Sequence, residues 1–254
     1  MYLQHWGLQR SPFATIAFGG AHGPLGVGDP YPTRALTEAT ARADYLVSQQ
    51  RRLGVLVGGR GWGKTTALAA IATEQRDAGV RAAVIDAVGL TGRELLWRVA
   101  EGLGAGPDPG DVSMRLWRRI EDRLAENRWQ ERATLLVVDD AEELGPDSQQ
   151  QLVRLARLEA DPAARWTLLL ATSPEALDRL GPALGHLVDL RIELAPWSLE
   201  DTIGYVQTSL VESGRYEPAF SESALGLLHE LTRGVPRQVA RLADFSLLAG
   251  AGAK

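Results

Sequence analysis

Residues 58–65 form a glycine-rich stretch whose residue types and spacing suit phosphate binding. Their letters, GGRGWGKT, match the pattern GxxxxGK followed by Ser or Thr without a mismatch. The glycines let backbone N–H groups turn toward phosphate oxygens, and a helix that starts directly after the loop adds its positive N-terminal end. Lys64 supplies a compact positive charge for the β- and γ-phosphates, and the Thr65 hydroxyl suits Mg²⁺. We therefore predict a site for ATP and Mg²⁺ here.

A glycine-rich turn that fits this pattern by chance is the alternative interpretation. The lysines argue against chance, because Lys64 and Lys254 are the only two in a chain otherwise biased to arginine. Trp62 is a large ring inside the loop; it covers the nucleotide, touches a neighbouring subunit, or is an exposed aromatic with no role. The residues expected to contact the nucleotide run from the loop into the helix: Gly58, Gly59, Arg60, Gly61, Trp62, Gly63, Lys64, Thr65 and Thr66.

An acidic pair follows another apolar segment. Residues 135–138, with the letters LLVV, are typical of a buried strand that delivers Asp139 and Asp140 to the carboxyl edge of a sheet, where ligands bind in α/β folds. We expect Asp139 to hold Mg²⁺ together with Thr65, and Asp140 to act as base or orienting group for the attacking water. The alternative is a strand that simply ends in a polar turn.

Asp140 stands where many ATPases have glutamate. One methylene less shortens its reach by about 1.5 Å, and a misplacement of that order costs roughly a hundredfold in rate, so slow hydrolysis is expected. Glu142 and Glu143 are nearby carboxylates that could compensate, but we expect both to lie on a solvated helix start.

The segment at 166–171 ends in two hydroxyl side chains. Thr172 and Ser173 are candidates for sensing the γ-phosphate, because this strand is predicted to lie between the other two motifs. A capped turn that leads into a helix at Pro174 explains the same residues equally well.

Apolar segments that alternate with helical patterns predict the sheet that positions these residues. Strands are predicted at Leu53–Val57, 82–85, 134–138, 166–171 and 187–194. Helices are predicted at 34–50, 64–77, 91–103, 112–128, 198–213, 221–232 and 235–248. This alternation favours a parallel sheet covered on both faces. We predict an α/β P-loop NTPase core at 33–195, an arm at 1–32 before it and a small helical domain at 196–254 after it.

The composition argues against several classes of protein. A net charge of −5 disfavours a protein that coats nucleic acid through bulk charge, although the run Arg115, Arg118 and Arg119 is either a solvated helix face or a local basic rim for DNA. The absence of cysteine excludes disulfides and thiolate metal sites and fits a cytoplasmic location. No apolar run approaches the roughly 20 residues of a membrane helix, so no membrane insertion is expected. No guanine-recognition motif of the Asn/Thr-Lys-x-Asp type occurs, which disfavours a GTPase.

Six segments along nearly the whole chain carry a family resemblance. They are the opening MYLQHWGLQRSPF, then GGRGWGKTT, LLVVDDAEEL, ATSPEAL, LAPWSLEDTIGYV and finally GVPR. Their order and spacing resemble the AAA+ ATPases of the ExeA/GspA type, whose wider relatives include the TnsC/TniB-like transposition ATPases.

The resemblance implies a five-strand core in the order 5-1-4-3-2 with a helical lid. It also implies that Arg237, in GVPR, reaches from the lid to the phosphates; a solvated arginine at a helix start is the alternative. The family's Gln-Arg pair before the fifth strand reads His186-Leu187 here, so the arginine that acts in trans is Arg179, Arg191 or absent from this chain.

The function implied by the resemblance is ATP hydrolysis by a homo-oligomeric ring, such as a hexamer, that remodels or positions a partner protein in secretion or envelope assembly. The alternative, which Asp140 favours, is a slow ATP-gated switch that binds DNA or recruits a transposase. The arm residues Trp6, Leu8, Pro12 and Phe13 form part of the adenine pocket or pack in a core, and we favour core packing for Trp6 and Leu8.

Overall fold

The computed structural model describes residues 2–13, 30–158 and 165–252. Residues 14–29 of the predicted arm therefore lie outside the described residues. The described chain contains one five-stranded sheet with helices on both faces, followed by a group of helices at the C-terminal end.

All five strands of the sheet are parallel, in the order β2-β3-β4-β1-β5, which confirms the predicted order. The strands are β1 Leu53–Val57, β2 Arg81–Asp86, β3 Thr134–Asp139, β4 Trp166–Thr172 and β5 Leu190–Glu193. β1, β3 and β4 are buried along their whole length, which is why each reads as a continuous apolar run in the sequence.

The fifth strand is shorter than the predicted 187–194. Leu187 and Val188 still belong to a turn, since their N–H groups donate to the carbonyls of Leu184 and Gly185. Pairing with β1 begins only when Asp189 donates to Leu53. The strand predicted from the alternation in VDLRIEL therefore begins about three residues too early.

Ten α-helices lie among the described residues: α1 Tyr2–His5, α2 Arg34–Ser48, α3 Lys64–Asp77, α4 Gly92–Gly102, α5 Ser113–Trp129, α6 Pro146–Arg157, α7 Gly181–Gly185, α8 Leu199–Glu212, α9 Glu222–Thr232 and α10 Pro236–Gly252. Two 3₁₀ helices, Ala141–Glu143 and Pro174–Leu180, follow β3 and β4 directly. α1, α6 and α7 were not predicted from the sequence, whereas the two 3₁₀ helices lie where a helix start at Glu142 and a helix at Pro174 were considered. Within the described part of the chain, no helix has the length and apolar character that crossing a bilayer requires.

Three apolar clusters hold these elements together. One lies between the sheet and α4, α5 and α6, and a second lies between the opposite face of the sheet and α2 and α3. The third joins Leu8 and Phe13 of the arm to α8, α9 and α10. The Trp6 indole also donates to the carbonyl of Leu247 at 2.7 Å, so the described arm packs on the C-terminal helices. We call α8, α9 and α10 the lid.

Candidate nucleotide-binding site

The glycine-rich loop lies at the carboxyl edge of the sheet, between β1 and α3. Its first N–H, from Gly58, donates to the carbonyl of Thr172 at the end of β4 at 3.2 Å. Gly61 and Gly63 have φ angles of 82° and 91°, in the left-handed region that favours glycine. No side chain among the described residues caps α3, so the N–H groups of its first turn have no side-chain partner there. The Lys64 ammonium group donates to the carbonyl of Gly58 at 3.0 Å.

The Thr65 hydroxyl donates to a carboxylate oxygen of Asp139 at 2.5 Å. This contact joins the start of α3 to the end of β3, and Asp139 is fully buried. Burial raises the pKa of Asp139 above its ordinary value, against the opposing effect of the hydrogen bond from Thr65. The structure therefore brings together the two residues predicted to hold Mg²⁺.

The donor set at this point fits a magnesium ion bound together with a nucleotide. A hydroxyl and a carboxylate are hard oxygen ligands, and Mg²⁺ is usually held by one or two such groups plus substrate phosphates and water. Among the described residues, no group of three or more His, Cys, Asp or Glu side chains could hold a metal by itself. Phosphate oxygens and water would have to supply the remaining ligands.

Asp140 sits at a sharp bend directly after β3. Its φ of 48° is left-handed, and its N–H donates to Asp139 at 3.0 Å. Burial, together with the negative charges of Asp139 and Glu142, raises the pKa of Asp140 to about 6. The bend therefore holds a half-buried carboxyl group beside the Asp139 carboxylate.

Glu142 departs from the sequence expectation, whereas Glu143 is exposed as expected. Glu142 lies on the 3₁₀ helix that follows Asp140 and is half-buried. One of its carboxylate oxygens accepts the backbone N–H of Ser173 at 3.0 Å, and the other is buried without a hydrogen-bond partner among the described residues. The expectation of a solvated helix start was wrong for Glu142, because the tight bend at Asp140 turns this helix back over the end of β4.

Thr172 and Ser173 lie side by side at the end of β4 but differ in access. Thr172 is fully buried, and its hydroxyl donates to the carbonyl of Ser173 at 3.4 Å. Ser173 is half-buried and makes no side-chain cap to the 3₁₀ helix that follows it. Of the two hydroxyl groups, the one of Ser173 is thus available to a ligand.

The lid reaches the glycine-rich loop through the start of α10. The N–H of Arg237 donates to the carbonyl of Gly61 at 3.2 Å. A Cβ atom added at Gly61 would lie 3.2 Å from the Cβ of Arg237 and 3.4 Å from a methyl group of Val235, so the loop and the lid are in close contact. The Arg237 guanidinium is exposed and has no partner in the described residues.

A cavity of about 250 Å³ opens next to the loop, between the core and the lid. Its lining is mostly apolar and aromatic: Pro30, Tyr31, Thr33, Ala35, Leu36, Trp62, Gly63, Thr66, Ala67, Leu194, Ala195, Trp197, Tyr205 and Pro236. Trp62 packs over Gly59, where an added Cβ would lie 2.6 Å from the indole ring. Trp62 is therefore half-buried in a wall of the cavity and is not an exposed aromatic without contacts.

Three aromatic residues of this cavity were missed by sequence reasoning. Tyr31, Trp197 and Tyr205 form a cluster in which the Trp197 and Tyr205 rings lie 4.7 Å apart and Tyr31 is 5.9 Å from Tyr205. None of the four arm residues proposed for the adenine pocket lines it; only Phe13 approaches, through a ring contact of 6.0 Å with Tyr205. The sequence signal for the cavity is the pair Trp197 and Tyr205 in LAPWSLEDTIGYV, a segment that served above only as a family motif.

The two candidates for an arginine in trans differ in their surroundings. Arg191 lies within edge strand β5 and pairs with Glu193 at 3.1 Å. Arg179 lies on the 3₁₀ helix after β4, is exposed, and has no side-chain partner in the described residues. Arg179 is therefore the one whose guanidinium is free for another molecule.

Comparisons with known proteins identify the family of the chain. A family model described as an AAA domain matches residues 47–180, more than half of the chain. General secretion pathway protein A of Aeromonas hydrophila is 29% identical over 253 residues; the match covers 98% of this chain and 45% of that protein. The family resemblance stated from the sequence is thereby confirmed, although the chain spans less than half the length of this relative.

Solved structures with a similar fold include proteins from Pyrobaculum aerophilum and Aeropyrum pernix. Cdc6p from Pyrobaculum aerophilum matches with a TM-score of 0.66 and 21% identity, over 89% of this chain and 63% of its own. The Aeropyrum pernix Orc1 protein, solved in complex with DNA, matches with a TM-score of 0.65 and 18% identity, over 89% and 62% of the two chains. At these identities the likeness concerns the fold.

Proposed function

This chain belongs to the AAA domain family, and from that premise we propose that it binds ATP with Mg²⁺ at residues 58–66 and hydrolyses the terminal phosphate bond. The observation that carries the proposal is the 2.5 Å hydrogen bond from Thr65 to Asp139. It brings the loop hydroxyl and the buried carboxylate of a separate strand to one point, and Lys64 is the residue directly before Thr65 in the loop. A glycine-rich turn that binds no ligand would not require a hydrogen bond between Thr65 and Asp139.

Phosphate binding is assigned to the loop. Lys64 donates to the neutral carbonyl of Gly58, and exchanging this acceptor for a charged phosphate oxygen would strengthen the hydrogen bond. The open N–H groups at the start of α3 favour an anion at the same place. Thr65 and Asp139 would hold Mg²⁺, which neutralises phosphate charge when it is bound.

The nucleotide base is assigned to the cavity beside the loop. Its aromatic and aliphatic walls suit a flat, weakly polar ring, and it adjoins Gly63 and Thr66 of the phosphate site. Trp62 belongs to both places, because it is part of the loop and of the cavity wall. The base and the phosphates of one molecule can therefore be bound together.

Hydrolysis is assigned to Asp140 with support from the lid. Asp140 follows the Mg²⁺-binding position directly, and as a carboxylate it would accept a proton from the attacking water. Arg237 has a free guanidinium next to a backbone contact with the loop, so a γ-phosphate gives it a partner and favours a closed lid. Loss of the γ-phosphate on hydrolysis would remove this partner of Arg237 and so change the position of the lid.

The biological role proposed is that of a homo-oligomeric ATPase, acting in the cytoplasm, that remodels or positions a partner protein. The similarity to general secretion pathway protein A supports a role in secretion or envelope assembly. The exposed, unpaired Arg179 supports an oligomer, because it can contact the nucleotide of a neighbouring copy.

Steady-state phosphate release by the purified protein tests this proposal. Wild type with Mg-ATP should release phosphate, and Lys64→Ala should release none above the blank. Arg179→Ala should bind ATP like wild type. At protein concentrations at which sizing shows an oligomer, the rate of phosphate release per subunit should rise for wild type but not for Arg179→Ala. Equal release by wild type and Lys64→Ala would remove the assigned site from the reaction.

A second candidate is a slow ATP-gated switch that binds DNA or recruits a transposase. Asp140, shorter than glutamate, is the observation that favours it. The basic run on α5 lends it little support, since Arg115 and Arg119 pair with Asp111 at 3.1 Å and 2.8 Å. Retention on duplex DNA, measured with and without ATP over a range of salt concentrations, discriminates the two functions. Retention on DNA that is the same with and without ATP would contradict the ATP-gated switch.

A further inference from the structure

The Tyr31 ring lies at the boundary between the core and the lid. Tyr31 comes two residues before Thr33, whose hydroxyl accepts the N–H of Leu36 at 3.2 Å and caps α2, a helix of the core. Its ring, however, meets aromatic rings on the lid side, in edge-to-face contacts of 5.9 Å with Tyr205 of α8 and 6.2 Å with Trp197. A residue of the core segment is thus inserted among side chains of the lid side.

Gly204 is the point of α8 against which the Tyr31 ring rests. A Cβ atom added at Gly204 would overlap the Tyr31 hydroxyl oxygen and would lie 3.1 Å from Cζ of the ring. Any side chain at this position would therefore push the ring away from α8. Glycine is unfavourable in the interior of a helix, because it loses more backbone freedom on folding than alanine does, so the close approach of Tyr31 gives this glycine a reason. We call the gap at Gly204 the notch.

Shape, and not a polar contact, holds the ring in the notch. Among the described residues the Tyr31 hydroxyl has no hydrogen-bond partner. Burial raises the pKa of this hydroxyl, and the negative charges of Asp201 and Glu200 in the first turn of α8 add to the rise, so the group stays uncharged. Tyr31→Phe would therefore keep the ring contacts and remove only the atom that fills the notch.

The cavity assigned to the nucleotide base has walls on both sides of this contact. Pro30 and Tyr31 line it from the core segment, whereas Trp197 and Tyr205 line it from the lid side. Stacking on aromatic rings contributes to base binding without requiring hydrogen bonds, but a ring forms a wall only where it is held in place. Gly204 does not line the cavity itself, so its effect on a bound base would act through Tyr31.

We propose that Gly204 is a positioning residue for nucleotide binding, because its notch fixes the Tyr31 ring as a wall of the base cavity. This assignment rests on the proposed binding of the base in that cavity and extends it to a residue outside the lining. Since the notch belongs to the lid and Tyr31 to the core segment, a bound base favours the arrangement in which the two are in contact. The base is thereby linked to α8, whereas the γ-phosphate is assigned to Arg237 of α10.

Substitutions at both residues separate this role from a general effect on the lid. Gly204→Ala places a methyl group in the notch and should displace the ring. Tyr31→Phe removes the overlapping oxygen, and Cζ at 3.1 Å then has to move by only a few tenths of an ångström, so the ring of the double variant should return to its place. Gly226→Ala is the matched control, because Gly226 also lies inside a lid helix and an added Cβ would meet nothing within 4 Å.

The experiment measures, by calorimetry, the affinities for Mg-ATP and for Mg-tripolyphosphate, which has phosphates but no base. Gly204→Ala should raise the Kd for ATP about tenfold, within the range for loss of one aromatic stacking contact, and change the Kd for tripolyphosphate by less than about twofold. Tyr31→Phe and the double variant should both bind ATP within about threefold of wild type. Tyr31→Ala, which removes the ring and adds nothing to α8, should repeat the selective loss. Gly226→Ala should change neither affinity.

Three results overturn the assignment. Wild-type affinity for ATP in Gly204→Ala, or in Tyr31→Ala if Gly204→Ala does not fold, would show that the notch does not position the base. Equal losses for ATP and tripolyphosphate would show that the two residues only support the lid. A double variant as weak as Gly204→Ala would place the effect in the helix and not in the ring.

Failure of the proposed function is distinguishable, because it is seen without any substitution in the notch. Wild type would then bind ATP no better than Lys64→Ala does, or no better than it binds tripolyphosphate. In either case the assignment of Gly204 would fall with the proposed base site.

Discussion

Trp62→Ala removes the side chain that links the glycine-rich loop to the cavity. The indole ring packs over Gly59 and forms part of the cavity wall, while the phosphate-binding groups of the loop are backbone N–H groups and Lys64. The substitution should therefore weaken binding of the base and leave binding of the phosphates intact. This selectivity follows from the assignment of base and phosphates to adjoining but separate places.

The magnitude follows from the ring contact that is lost. Stacking of a base on an aromatic side chain contributes about 1–3 kcal/mol. Because Trp62 is only half-buried, we expect the lower part of this range, about 1–2 kcal/mol. Since each 1.4 kcal/mol is a factor of ten, the Kd for ATP should rise about 5-fold to 30-fold.

Calorimetric titration is the suitable assay, because removing a tryptophan also changes the intrinsic fluorescence. Wild type, Trp62→Ala and Trp129→Ala are titrated with Mg-ATP and with Mg-tripolyphosphate. Trp129 is a matched control, since it is 87% exposed at the end of α5 and does not line the cavity. An unchanged ATP affinity of Trp62→Ala, or an equal loss for ATP and tripolyphosphate, would refute the assignment of the base to this cavity.

Three further predictions follow from the same site and its supports. Arg237→Ala should leave the affinity for ADP unchanged and lower the affinity for a non-hydrolysable ATP analogue about tenfold, because the free guanidinium has a partner only when a γ-phosphate is present; the ratio of the two Kd values measures this. Asp139→Asn should abolish the effect of Mg²⁺ on ATP affinity but not lower the free energy of unfolding of the nucleotide-free protein, because burial already disfavours the charged form, as urea unfolding can check. Phe13→Ala should lower the free energy of unfolding by about 3–5 kcal/mol, since the ring is buried between the arm and the lid, whereas Tyr216→Ala, at an 82% exposed position, should change it by less than about 0.5 kcal/mol.

The elements that position the phosphate loop could be predicted from the sequence because each carries a local signal. β1 is a short apolar run that ends in glycines, and α3 begins at Lys64 as expected from the pattern. α6 was missed because its first residues, PDSQQQ, lack an apolar period and follow a glycine. β5 was placed too early because alternation continues through a turn that only hydrogen bonding reveals.

The parts of the site that sequence reasoning missed depend on contacts between distant segments. Tyr31, Trp197 and Tyr205 meet only because the lid folds back beside the start of α2. Glu142 looks like one of two equivalent acids in the sequence, and only the left-handed bend at Asp140 distinguishes it from Glu143. Local patterns contain neither kind of information, whereas the loop and β3 are each a run of consecutive residues with a complete pattern of its own.

The chain offers a direct test of the central claim, that Lys64 holds the phosphates of ATP. Lys64 and Lys254 are the only lysines, so Lys254 is an internal reference for any reagent that acylates amines. The wild-type protein is labelled for increasing times with and without Mg-ATP at about 100 times its Kd, and the two lysines are followed separately by mass spectrometry. ATP should slow labelling of Lys64 about a hundredfold, as expected from the occupied fraction, and leave labelling of Lys254 unchanged. Labelling of Lys64 at the same rate with and without saturating ATP would contradict it.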